Sequence, residues 1–459
     1  MSENNKSNEA YLSGTKKLGL ISMMGICIGL VIAQGGMISG LQGIGIGGTT
    51  FVAALFAAFL IAQFNAMSFA ELSLMFPQEG TLATYTQKAI GHFPAIVAVF
   101  SGYVIVATLA VPVELFLVDA MLGQLFPSGY IEKSAPILIL VILTITNLVG
   151  ADVFSRVQNL LAFALISALI ILGLAAVTGA SEPHPELTGG TVDWGMGGVM
   201  NGSFIGLIAL AMWLMVGVEF ICPMVNEVKN PEKNIPRAMH WSLLLILAVF
   251  LLFIYGASLY MDAAALTSSP IPYLDYAQAV FGKSGLLIAT IIGLTAACSS
   301  VNTLLAAIPR MLHGMAMQKQ VFPQLKSLNR YNTPWVGIIM LAVFMAIPYL
   351  VFSIDYLITL VIAATTSWLL AYIVAHINVM VLRHRYPDFK RPYKTPFYPL
   401  PQIIGIIAMI YVALNNSPSP EMTNTVFSIT GSMLLVVGVI AALWVKLYMK
   451  RGLFTPDMD

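Results

Sequence analysis

Charged residues are the scarcest class in this sequence. Asp, Glu, Lys and Arg supply 9% of its 459 residues, whereas 58% are apolar, and soluble domains carry roughly 25% charge. No polar stretch is long enough to form a soluble domain, which excludes an extramembrane enzyme domain. The net charge of +1 argues against a nucleic-acid partner. Cysteine is almost absent. Cys27, Cys222 and Cys298 lie far apart in apolar surroundings without ligand spacing, so they support neither a disulfide framework nor a metal site and read as small buried residues. His240, His313 and His376 also lack ligand spacing and read as structural. The spans contain no nucleophile or His/Asp/Glu constellation of the kind a membrane enzyme needs. Residues 1–17 lack the short apolar core and cleavage site of a signal peptide, so the first apolar segment is expected to stay as a span.

What the sequence has in abundance is apolar runs. Polar breaks divide it into twelve, at 18–41, 49–76, 93–122, 135–150, 155–178, 200–225, 237–261, 284–316, 335–352, 355–382, 400–417 and 423–449. Most approach the roughly 20 residues a helix needs to cross a bilayer. The fourth, ninth and eleventh are short. Twelve spans place both termini on one side, and if that side is the cytoplasm, all of the 22 Lys and Arg residues except Lys133 and Lys283 fall inside. The stretch from Gly179 to Val199 holds acids and no Lys or Arg, whereas Arg383 to Lys394 carries five basic residues. This bias supports both the count and the orientation.

Two of the runs are interrupted. The first reads GICIGLVIAQGGMISG, with Gly35 and Gly36 beside the polar Gln34; Gly25 and Gly29, a GxxxG pair, read as a packing feature. The sixth reads MWLMVGVEFICP, carries Gly217, Glu219 and Pro223, and ends in a polar loop reaching Arg237. A carboxylate in hydrocarbon costs roughly 2.5 to 3.5 kcal/mol on insertion scales, so Glu219 implies a polar site beside the helix. Discontinuous helices five spans apart are the pointer to two five-helix inverted repeats, with spans eleven and twelve as additions. The sequence therefore predicts an all-α membrane protein of twelve transmembrane helices with the five-plus-five inverted-repeat fold, helices one and six broken. Its parts are a cytoplasmic tail (1–17), a ten-helix core (18–382), a basic cytoplasmic loop (383–399), two further helices (400–449) and a C-terminal cytoplasmic tail (450–459).

Five separated motifs carry a family resemblance. VIAQGGM, Val31 to Met37, resembles the unwound VIGSGIF element of the amino acid–polyamine–organocation (APC) permeases, with Ala33 and Gln34 replacing Gly and Ser. AMSFAELSLMFPQEGTLATY resembles their AELxxxxPxxGGxYxY signature, with Thr81 at the second glycine. GVEFICPMVNEVKNPEKNIPRAM resembles the sixth-helix motif. AACSSVNTLLAAIPRMLHGMAMQKQVFP and LLAYIVAHINVMVLRHRYPDFKRPYKTPFYP resemble the eighth- and tenth-helix signatures. The resemblance implies a secondary transporter of the plasma membrane that alternates access to a central site. Its substrate would be an amino acid or, given similarity to ethanolamine permeases in GLVIAQGG and RPYKTPFYP, a carboxylate-free amine. A non-transporting sensor is disfavoured because no signalling domain is present.

Residue by residue, the break at Ala33, Gln34, Gly35 and Gly36 would offer backbone N–H groups to a substrate carboxylate, and the break from Trp213 to Gly217 would offer carbonyls to its ammonium. Trp213 is similar to the substrate-covering Trp of the arginine/agmatine antiporter's WAFIGVE element, and Glu219 matches its gating or proton-responsive Glu. For Glu219 a tie to helix two or ten stays open beside proton coupling. Tyr103, Ala107, Ala110 and Glu114 share one face of span three, so Glu114 could meet substrate, titrate, or pair with a neighbouring helix. Ser299 and Ser300 form a candidate cation site with carbonyls of the first helix, although such serines mostly bond back to their own helix. Several proton-coupled relatives carry a fifth-helix lysine where Ala164 or Leu165 stands here. Exchange, facilitated movement, or proton coupling through Glu71, Glu114 or Glu219 then remain, with sodium the less expected ion and no cofactor.

Overall fold

A computed structural model describes residues 18–179, 190–195, 203–417 and 420–458. The tail 1–17 and most of the loop after Gly179 lie outside the described residues. Every described apolar segment contains helix, and the described residues form no named strand. The first segment is two helices, α1 (Leu20–Val31) and α2 (Gln34–Gly47), bent by 61°. Then follow α3 (Thr49–Met75), the short α4 (Leu82–Ala89), α5 (His92–Leu125), α6 (Ser134–Leu148) and α7 (Ala151–Thr178). The sixth segment gives α8 (Ser203–Met212), a turn, and a 3₁₀ helix over Val218–Glu227. The second half of the chain holds α9 (Pro231–Ser258), α10 (Ala263–Ser268), α11 (Pro272–Phe281), α12 (Gly285–Met317), α13 (Trp335–Val351), α14 (Leu357–Arg385), α15 (Leu400–Asn415) and α16 (Pro420–Leu443).

Seven of these helices are long and apolar enough to cross a membrane, eight with the bent pair counted as one. The helices α6, α13 and α15 are apolar but shorter, matching the three short segments of the sequence. The bundle is apolar outside as well as inside: Leu160, Phe163, Leu435 and Leu447 are each about 70% exposed. A soluble protein rarely shows so much unbroken apolar surface, and a lipid environment satisfies it.

The interrupted segments lie at the centre. Helix α1 packs against α7, α9, α12 and the 3₁₀ helix, while α14 packs against α3, α5, α15 and α16. Helix α1 stops because the chain turns extended at Ala33 (φ −93°, ψ 163°) and restarts at Gln34, ahead of Gly35 and Gly36. Gly217 adopts φ +122°, a conformation that a side chain would make costly, and this fixes the second break. Beyond it the chain forms a 3₁₀ rather than an α-helix, and it contains Pro223, which has no N–H to donate to an α-helical bond. The close approach of α1 to α7 and α12 depends on Gly29, where a Cβ would collide with Ser299 Oγ and Gln158 Nε2. Within α5, a π-helical turn at Phe100–Ile105 carries Tyr103 and lets Gly102 lie against Ala371 of α14.

Candidate functional site

The two breaks face each other. A Cβ on Gly36 would fall 3.6 Å from the Trp213 carbonyl oxygen, and one on Gly217 would fall 3.1 Å from Leu30 Cδ2. Beside them lies a cavity of about 60 Å³, walled by Ala33 and Gly35 of the first segment, Glu114 of α5, Trp213 of the sixth segment, Ser300 of α12 and Trp368 of α14. Its remaining wall is mostly aliphatic. This is room for several waters or a small ligand. Of the residues expected to hold substrate, Ala33, Gly35, Glu114 and Trp213 border this space. Gln34 is fully buried behind it, and Gly36 and Gly217 form the backbone of the breaks. Tyr103 is not in the wall; it packs edge-on against Phe220 at 5.1 Å, and its hydroxyl has no hydrogen-bond partner among the described residues.

Glu114 does not project freely into the cavity. Its carboxylate accepts hydrogen bonds from the Gln34 backbone N–H (3.3 Å), the Gln34 side-chain amide (3.0 Å) and the Gly35 N–H (3.5 Å). It therefore sits on the N-terminal turn of α2, where an anion is favoured by unpaired N–H groups and by the helix dipole. Gln34 is held in turn: its amide also donates to the Glu114 carbonyl at 3.1 Å, and its carbonyl accepts from the Tyr273 hydroxyl at 2.5 Å.

Glu219 ties the second break to α14. Its carboxylate accepts from Trp368 Nε1 (3.1 Å) and from the Tyr372 hydroxyl (2.9 Å), and that hydroxyl itself accepts from the Gly217 N–H (3.0 Å). Of the two ties left open for Glu219, helix ten is the one formed. Glu71 lies outside the cavity wall, where its carboxylate is enclosed by Arg383, Arg391 and the backbone N–H of Thr395. The histidines are bonded to neighbours: His376 lies between Ser68 and Asn65, His313 meets Glu79, and His240 meets Gln63.

The serine pair separates. Ser300 donates back to the Ala297 carbonyl of its own helix, whereas Ser299 accepts from Gln158. Gln158, rather than Ala164 or Leu165, is the α7 side chain that bridges α1 and α12. Its amide nitrogen donates to the Gly25 carbonyl at 3.2 Å and to Ser299 Oγ at 2.7 Å, and its oxygen accepts from Asn302 at 2.9 Å. The Gly25 carbonyl and Ser299 hydroxyl oxygens, two that a cation between these helices would use, are thus engaged by a neutral N–H donor. Trp368 and Gln158 were not singled out in the sequence. A mid-span Trp in a near-continuous apolar run could have marked Trp368; nothing local marks Gln158.

The model of the amino acid permease family matches residues 18–441, nearly the whole chain. This chain belongs to the amino acid permease family. The permease is 24% identical over 410 residues to a serine/threonine exchanger of Bacillus subtilis strain 168, covering 86% of this chain and 90% of the relative. It is 24% identical over 433 residues to the human cystine/glutamate transporter, covering 90% and 83%, and 22% identical over 432 residues to a branched-chain amino acid permease of B. subtilis, covering 87% and 88%. The permease is accordingly a multi-pass membrane protein and a secondary transporter of amino acids, not an enzyme.

Proposed function

We propose that the permease carries a small amino acid across the plasma membrane by alternating access, through twelve spans arranged as five-plus-five inverted repeats with both termini cytoplasmic, and by exchange or proton coupling. The observation that carries this reading is the pair of facing helix breaks, five segments apart, with a small cavity beside them. In it the first break takes the substrate carboxylate, the second takes the ammonium, and Trp213 and Trp368 close over the ligand. Relatives named for serine and threonine, for branched-chain amino acids, and for cystine and glutamate differ in side chain but share the α-amino acid core, which suits a site that grips the core. Purified permease in proteoliposomes loaded with unlabelled serine or leucine should take up the labelled amino acid faster than empty vesicles do. Binding in a thermal-shift assay with no flux under any gradient would defeat the carrier reading.

A second reading is favoured by one feature. Glu114 already fills the carboxylate position, so a carboxylate-free amine such as ethanolamine could enter with Glu114 as its counter-charge.

A further prediction concerns sodium. Because Gln158 donates to both Gly25 and Ser299, replacing external sodium by choline should leave initial uptake unchanged. A fall of more than about twofold would show that the amide yields to a cation when one is offered.

A further inference from the structure

The Glu114 carboxylate occupies the place that the proposed reading gives to the substrate carboxylate, at the first turn of α2 beside the cavity. We propose that Glu114 is an internal competitor for the substrate carboxylate, and that the amino acid loads by displacing it while Glu114 takes up one proton. This rests on the carrier reading above. It assigns the coupling ion, the residue that binds it, and the reason the two ligands load together.

Three observations carry the proposal. First, the cradle is built from donors that are themselves held in place. Gln34 offers its backbone N–H and its amide to Glu114 while Tyr273 holds the amide's oxygen, so the donors keep their geometry whether the acceptor belongs to the protein or to a ligand. The competitor is an acid of the same chemistry as the ligand group, attached to a different helix. Second, the contact is long on the backbone side: 3.3 Å to Gln34 N and 3.5 Å to Gly35 N. A free carboxylate could sit closer, and the backbone donors gain from the exchange.

Third, the wall offers no cationic side chain to keep a displaced Glu114 ionised, and in the carrier reading the substrate's ammonium is held by the carbonyls of the second break. Among the described residues no Lys, Arg or His lines the cavity. The titratable neighbour on α11 is Tyr273, which donates to Gln34. On α5 itself, Asp119 accepts from the Tyr130 hydroxyl and the Lys133 N–H, and Tyr349 of α13 packs against Phe116. From the sixth segment and α14 come Trp213 and Trp368, with Glu219 bonded to Trp368 and Tyr372. From α12 comes the uncharged Ser300. Two carboxylates side by side in such a wall do not both stay ionised, and the one without donors is neutralised. The balance is simple: one carboxylate becomes a carboxylic acid, the proton comes from the aqueous face that the site opens to, and no other bond changes. Return of Glu114 to the cradle after substrate leaves releases that proton on the far side.

The test uses the full-length permease in proteoliposomes with serine, leucine, ethanolamine and isoamylamine as probes and an internal pH dye. For serine or leucine, the wild type should show KM rising with pH by up to about tenfold per unit, the limit for one linked proton. Amino acid entry should acidify the lumen, and an inward proton gradient should drive accumulation. In Glu114→Gln the pH dependence of KM should flatten and the acidification should vanish. The wild-type measurements decide the matter even if that variant fails to fold. Amino acid flux with a flat KM and no lumen acidification overturns the proposal and leaves the carrier reading standing. Transport of the amines with exclusion of both amino acids also overturns it, making Glu114 a fixed counter-charge. No flux of any probe defeats the carrier reading and this proposal with it.

Discussion

Glu71→Ala is expected to destabilise the permease more than other single substitutions outside the cavity, by about 3 to 5 kcal/mol, the usual cost of removing one partner from a buried ion pair. Glu71 is 2% exposed, and both its oxygens are used. Arg383 binds it through two nitrogens, Nε to Oε1 at 2.8 Å and Nη2 to Oε2 at 2.6 Å, in the forked geometry that gives arginine–carboxylate pairs their strength. The Thr395 N–H reaches Oε2 at 2.7 Å, and Arg391 approaches Oε1 at 3.5 Å. One carboxylate on α3 thereby fastens the end of α14 and the basic loop that follows it. Removing it leaves the Arg383 guanidinium without its counter-charge and the Thr395 N–H without an acceptor. The midpoint of thermal unfolding in detergent should fall by several degrees, and adding Arg383→Met should recover part of the loss because the stranded charge goes too. If the single variant melts with the wild type, the cluster is not holding the loop.

The basic loop shows how far the sequence reached. Its charge bias and the RPYKTPFYP motif were visible as text, yet the partner of that charge, Glu71, lies 312 residues away from Arg383 in the chain. The same division runs through the molecule. Long apolar runs announce helices because a run of that length has few other structures open to it in lipid. The breaks were legible too, since Gly35, Gly36 and Gly217 are local signals, and Gly217 does take a backbone angle reserved for glycine. The pairings were not. Gln34 with Glu114 and Gln158 with Ser299 join residues 80 and 141 apart, and which polar side chains meet across helices depends on rotation and register that hydropathy leaves free. The short helices α10 and α11 escaped for a different reason: they are 6 and 10 residues long and lie between the apolar runs. At the first break the sequence located N–H donors for a carboxylate and left Glu114 open to substrate, to titration or to a neighbouring helix, without joining the two. The sequence puts Glu114 on one helical face with Tyr103, Ala107 and Ala110, and only the bend of the first segment aims the α2 N-terminus at it.

Glu219→Ala is expected to slow exchange by about 30-fold or more at unchanged protein density in the vesicles. The carboxylate is 1% exposed and receives two donors from α14, the Trp368 indole and the Tyr372 hydroxyl. Leaving a buried donor without its acceptor costs about 1 to 3 kcal/mol, and a loss of about 2 kcal/mol in the transition between states corresponds to about 30-fold in rate. The loss should appear in transport, not only in stability, because of what the network joins. Trp368 walls the cavity, Gly217 stands at the break of the sixth segment, and Tyr372 bonds to both Glu219 and the Gly217 N–H. Any movement of the sixth segment past α14 has to break or carry this network. Tyr372→Phe removes the same hydroxyl, so the two substitutions should be non-additive, with the double variant little slower than the worse single one. Glu219→Gln keeps an oxygen for one donor and should fall between wild type and Ala. Additive losses in the Glu219 and Tyr372 variants would mean that the carboxylate acts on transport by a route other than the tether to α14.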